Sequence, residues 1–171
     1  MKTNGTGFTL VELLVVMAIV AILAMVALVV FNPVEMNRRA RDTVRLSDLT
    51  ILKQAINIEN QEVNETQTSG YCFQTQIPCQ GTTYPLEAST QNNDGSGWVK
   101  VNLSSKKGIR LPVLPIDPRN NQDYNYCYYS DGDSWEVDAT LESDQFKDRM
   151  QKDGGDNPTK YEVGSDLTLI H

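Results

Sequence analysis

The sequence is poor in the residues that most site chemistry requires. It has a single histidine, His171, which excludes a histidine-based triad and a histidine-rich zinc site. Cysteine is scarce too: Cys72, Cys79 and Cys127, with no histidine beside them, make a weak zinc set. No glycine-rich phosphate loop follows a strand-like segment. Positive charge is in deficit, with 15 Lys and Arg against 22 Asp and Glu and a net charge of -7. An acidic chain does not suit general nucleic-acid binding, which needs cations to displace condensed counterions. No internal repeat is present, and no constellation of residues reads as catalytic. Acidic pairs such as Asp131 and Asp133 read as a solvated turn, and Lys106, Lys107 and Arg110 as a solvated basic loop. The chain is therefore not expected to be an enzyme. Its 171 residues suffice for one domain with a modest core, but not for two full domains.

Against these absences stands one concentrated feature. Leu13 to Phe31 is an unbroken apolar run, while the rest of the chain is polar. Phe8 to Phe31 would reach ~36 Å as a helix, enough to cross a hydrocarbon core about 30 Å thick. Glu12 is the one charged residue within it. A secretory signal peptide has a shorter apolar core and a small-residue cleavage site after it, whereas this run is followed by Asn32-Pro33-Val34-Glu35. A buried core helix of this length would need a large surrounding domain, and no other segment is apolar enough to wrap it. A membrane span over residues 8–31 is the reading that remains.

The residues at the start of the span carry a family resemblance. A short polar stretch, Met1 to Gly7, contains Lys2 and ends in glycine; Phe8 then opens the apolar helix, and Glu12 is its fifth residue. This pattern resembles the leader signal of type IV pilins and of the pseudopilins of type II secretion systems. The specific part of the resemblance covers about the first 30 residues. It implies a leader at residues 1–7, cleavage between Gly7 and Phe8 by a prepilin peptidase, and N-methylation of Phe8 by the same enzyme. It further implies a single-pass protein of the bacterial inner membrane, with its head outside the cytoplasm. An inner-membrane assembly platform would then move it into a cell-surface or periplasmic filament with copies of itself or other pilin-like subunits. Glu12, a carboxylate near the membrane surface, either takes a partner or snorkels to the interface. The resemblance supplies one in the amine of Phe8 on an adjacent subunit. Where the family usually interrupts the helix with Gly and Pro, this chain has Ala21 and Val29, and its nearest proline is Pro33.

Beyond the span, residues 32–63 read as an amphipathic continuation. Leu49, Leu52, Ile56 and Val63 mark one helical face, and Pro33 suits the first turn or a kink. A rod from about Thr9 to Val63 is expected. Residues 64–171 read as a polar globular head. Asn64 to Gly70 reads as a loop and Tyr71 to Asn93 as an irregular connection. Strand-like segments follow at Trp98–Leu103, Tyr124–Tyr129 and Trp135–Leu141. The last two are joined by Ser130-Asp131-Gly132-Asp133, a hairpin signal. Lys160–Val163 and Leu167–Ile170 add two short candidates. The expected fold is α+β: a long N-terminal helix packed on a small antiparallel sheet.

Two questions about the head stay open at this level. Cys72 and Cys79 favour a local disulfide, with pairing of Cys127 to either as the alternative. A disulfide would place the head outside the cytoplasm. The cluster Arg38, Arg39, Arg41 and Arg45 after the span argues the opposite orientation by the positive-inside rule. Arg38, Arg39 and Arg41 read as solvated or headgroup-facing charge beside Glu35 and Asp42, or as salt bridges between subunits. Asp117, Asp123, Asp131 and Asp133 gather near the hairpin as weak calcium candidates, because some pseudopilins hold calcium in a head loop. No other cofactor is expected. The rival reading is a singly anchored receptor or binding module that never polymerises.

Overall fold

The computed structural model describes residues 7–62, 69–71, 91–104 and 111–171. By compactness the chain forms two units, Met1–Asn37 and Arg38–His171.

The first unit is dominated by helix α1, Leu10–Phe31. Apart from Glu12 in the first turn, its described side chains are apolar and almost all exposed, with no polar side to separate from an apolar one. A helix that is hydrophobic all round belongs in an apolar medium, and α1 is long and apolar enough to cross a membrane. It ends at Asn32, which adopts a left-handed backbone with φ 33°. Asparagine tolerates that conformation better than most residues, because its short side chain bonds locally. Asn32 Oδ1 then accepts a hydrogen bond from Glu35 N at 3.3 Å, so the residue that closes α1 also caps helix α2, Pro33–Glu62. Pro33 stands at the first helical position, where no amide hydrogen bond is lost. The expected rod is thus two helices that meet at one left-handed residue. Val63, its expected end, lies outside the described residues.

The second unit is built around a four-stranded antiparallel sheet in the order β1-β2-β3-β4, with β1 at Ser69–Tyr71, β2 at Tyr126–Ser130, β3 at Trp135–Ala139 and β4 at Tyr161–Gly164. Together with the long N-terminal helical segment this is the expected α+β fold. The Asp131-Gly132 turn joins β2 to β3. Asp131 Oδ1 accepts hydrogen bonds from Asp133 N and Ser134 N, while Gly132 takes φ 105°, open to glycine without strain. Leu49, Leu52 and Ile56 of α2 are buried as expected, joined by Ala55. They share one core with Trp135, Val137 and Ala139 of β3, Tyr126 and Tyr128 of β2, and Val163 of β4. Burying each of the large aliphatic residues is worth ~1.5–3 kcal/mol.

Two expected strands are not strands. Trp98–Leu103 makes one isolated bridge, Asp94 to Asn102, yet Trp98, Val99, Val101 and Leu103 are all buried in the core. Proximity explains the difference: the segment is pinned by Leu103 N to Asn93 O and by Trp98 Nε1 to Pro115 O, so its backbone serves loops instead of a ladder. Leu167–Ile170 also stays out of the sheet, because the amides of Leu169 and Ile170 donate to a side chain, Glu136 Oε2. Ser69–Tyr71, read as loop, is the edge strand β1, paired with Tyr128–Ser130 of β2. Residues 72–90 and the basic loop Lys106, Lys107 and Arg110 lie outside the described residues.

Candidate functional site

The start of α1 is a capping box. Thr9 is the N-cap, and its Oγ1 accepts from Glu12 N at 3.2 Å. Glu12 Oε2 in turn accepts from Thr9 N at 2.9 Å and from Thr9 Oγ1 at 2.8 Å. Two amides that would otherwise lack partners are satisfied reciprocally. Gly7 and Phe8 lie immediately before this box, both exposed, Phe8 at 85%. Thr9 and Glu12 both lie beyond a cut between Gly7 and Phe8, so such a cut would leave the cap intact. It would also create an amine one residue before the positive end of the helix dipole. Glu12 is the acidic residue of the first turn.

These residues fall inside one recognised pattern. Residues 3–31 match the prokaryotic N-terminal methylation motif. It is the leader signature of type IV pilins and pseudopilins, and it marks precursors of pilin-type structural subunits, which are not enzymes. The motif implies processing by a prepilin peptidase and assembly with pilin-like subunits in general. With the apolar α1 that the motif includes, it fits a membrane-anchored protein. No curated protein and no solved structure matches the chain.

In the head, Arg41 and Arg45, two of the four arginines that follow the span, join an ion network around the buried Asp42, Asp117 and Glu142. Arg45 of α2 is 0% exposed. Its Nε and Nη2 bind Asp117 Oδ2 and Oδ1 at 2.7 and 2.9 Å, and its Nη1 binds Asp42 Oδ1 at 2.8 Å and Glu142 Oε1 at 2.7 Å. Arg41 grips Glu142 in the same two-pronged way, Nε at 2.8 Å and Nη2 at 2.7 Å. Arg119 Nη1 adds a third contact to Glu142 at 3.3 Å and stacks over Tyr124, 4.4 Å from the ring centroid. Asp42 accepts the amides of Glu142 and Ser143 and the Ser143 hydroxyl, at 2.6–3.1 Å. Three guanidinium groups thus meet three carboxylates. Burial works against the charge on Arg45, but its bonds to Asp117, Glu142 and Asp42 outweigh that and raise its pKa. Burial likewise pushes Glu142 up, and the stronger pull of Arg41 and Arg45 holds it down at about 2. The network clamps the α2 segment around Asp42 and Arg45 to the loops at 117–119 and 142–143.

The structure scatters the sequence-derived calcium candidates. Asp117 is the buried bidentate partner of Arg45 and also accepts from Arg119 N. Asp131 is spent on the hairpin turn, and Asp123 and Asp133 are exposed. No group of carboxylate oxygens that could share an ion includes any of the four among the described residues. Three other acids do converge, Glu136 and Asp138 on β3 and Glu162 on β4. Burial raises all three; repulsion from Glu136 and Glu162 adds to it at Asp138, and repulsion from Glu136 and Asp153 adds to it at Glu162, which is pushed up to about 8. Sequence reading passed over them because Glu136 and Asp138 look like the solvent side of an alternating strand. The available signal was Glu162, in a second strand candidate with the same alternation.

Cys127 is disulfide-bonded. The favoured pair, Cys72 and Cys79, lies outside the described residues. With three cysteines in the chain, a bridge from Cys127 within it and a Cys72–Cys79 bridge exclude one another.

Proposed function

We propose that the chain is a structural subunit of a type IV pilus-like or type II secretion pseudopilus filament. It enters the inner membrane through α1, loses residues 1–7 by cleavage between Gly7 and Phe8, and is methylated on Phe8. It then assembles by packing α1 against the same helix of neighbouring subunits, with Glu12 facing the Phe8 amine of an adjacent copy. The methylation motif over residues 3–31 carries this reading. Two features of the head support an orientation outside the cytoplasm. A disulfide at Cys127 suits an oxidising compartment. Arg41 and Arg45, two of the four arginines that argued for a cytoplasmic head, are neutralised by Asp42, Asp117 and Glu142 once the head has folded.

Mass spectrometry of the protein purified from membranes tests the reading. The expected mature chain begins at Phe8 and carries one additional methyl group. An intact Met1 start, in cells with an active prepilin peptidase, would overturn it in favour of a singly anchored receptor.

A further inference from the structure

The face of the sheet turned away from α2 holds an arrangement that the subunit reading does not use. On β3 the alternation sends Trp135, Val137 and Ala139 into the core, so Glu136 and Asp138 lie on the opposite face. In the register of β3 and β4, Asp138 stands directly across from Glu162. Such a face of an antiparallel sheet is commonly left in water. Here it is covered. Ile170 packs on Cys127 and Tyr129, and Glu136, Asp138 and Glu162 are 0%, 1% and 2% exposed.

Two of the carboxylates are oriented by backbone amides, and all three keep an oxygen back. Glu136 Oε2 accepts the amides of Leu169 and Ile170, both at 2.8 Å. Glu162 Oε2 accepts Asn157 N at 3.4 Å, and Asp153 holds the Glu162 amide at 2.9 Å. Gly155 lies so close that a Cβ there would overlap the Glu162 carboxylate. The remaining oxygens, Glu136 Oε1, Glu162 Oε1 and both of Asp138, accept from no donor outside the triad among the described residues; what Glu136 faces in Asp138 and Glu162 is another carboxyl group. No lysine or arginine there makes a direct ion pair with the three acids; Lys160, buried nearby, attracts Asp138 at longer range while its Nζ donates to Thr140 Oγ1 at 3.0 Å. Like charges directly across a ladder repel, and buried carboxylates without partners are strongly disfavoured. Two carboxylates pinned by backbone amides around a third with two unpartnered oxygens form a set of acceptors that lacks a cation.

We propose that Glu136, Asp138 and Glu162 bind a divalent cation that fastens β3, β4 and the C-terminal segment together. The donors are all carboxylate oxygens, with no nitrogen or sulfur, so the cation is a hard one such as calcium or magnesium. One oxygen from each residue lies within 4.8 Å of the others, inside the ~5 Å that opposite ligands of one calcium ion span. Calcium accepts irregular geometry and a bidentate carboxylate, whereas magnesium keeps several waters, for which this covered face leaves little room.

The test uses the full chain in detergent, stripped with a chelator and titrated calorimetrically with calcium chloride and, separately, magnesium chloride. Thermal unfolding is followed in parallel. Calcium is expected to bind saturably and to raise the Tm by roughly 5–10 °C at a hundredfold excess over its Kd. Asp138→Asn and Glu162→Gln should abolish the response while remaining folded by near-ultraviolet circular dichroism. Without metal both should unfold at or above the temperature of the stripped parent, because each removes a repelling charge. Asp133→Asn, on the exposed turn, should respond as the parent does. Two results overturn the site: no binding of either ion by the parent, or a full response in both triad variants. A stronger response to magnesium overturns the calcium assignment.

Discussion

Replacing Arg45 by methionine is the sharpest test of what holds the head together. The guanidinium is fully buried and makes four hydrogen bonds, two to Asp117 and one each to Asp42 and Glu142. Methionine keeps much of the aliphatic length but removes every donor. Glu142 retains Arg41 and Arg119, and Asp42 retains the amides of Glu142 and Ser143 and the Ser143 hydroxyl. Asp117 fares worst: it is 3% exposed and keeps only the amides of Arg119 and Asn120. Removing one partner of a buried ion pair costs about 3–5 kcal/mol, because the other charge stays desolvated. Against a typical domain stability of about 5–15 kcal/mol, that is a large fraction. The measurement is urea unfolding of the full chain in detergent, followed by tryptophan fluorescence, since Trp98 and Trp135 are both buried in the head. Adding Asp117→Asn to Arg45→Met should recover part of the loss. A loss below about 1 kcal/mol for Arg45→Met, or no recovery in the double variant, would refute the view that Arg45 and Asp117 act as one buried unit.

Other outcomes follow from the same geometry. Glu142 is held at about 2, below the usual 4.5, so its contribution to stability is present above pH 4.5 and is lost as the pH falls toward 2; thermal scans across that range should fall less steeply for Glu142→Gln than for the parent. Trp98→Ala removes a fully buried ring and its bond to Pro115 O, and should cost about 3–5 kcal/mol in the same urea assay. Cys127→Ser should lower the stability of oxidised protein by about 2–4 kcal/mol and change reduced protein far less, since what it removes is the bridge. Glu12→Val should insert into membranes normally but fail to enter filaments; normal incorporation, measured by shearing and immunoblotting, would remove the role given to its carboxylate.

What could be read without coordinates was whatever depends on near neighbours in the chain. The apolar run of α1, the motif at Gly7, Phe8 and Glu12, the stripe of Leu49, Leu52 and Ile56, and the Asp131-Gly132 hairpin are each written within a few residues. Periodicity and turn chemistry act at that range. The fate of the charges was not legible. Arg45 meets Asp117 across 72 residues and Glu142 across 97, so an arginine counted among the positive charges that follow the span proves to be core, and an aspartate counted as a cation ligand proves to be its partner. Glu136 and Asp138 alternate with Trp135 and Val137 as a solvated strand face would. Only the return of the C-terminal segment over that face, 33 and 34 residues onward, makes them buried. Charge is visible in sequence, but its solvation is a property of what folds over it. The ion network and the acidic triad therefore belonged to tertiary structure, while the anchor and the processing signal belonged to the sequence.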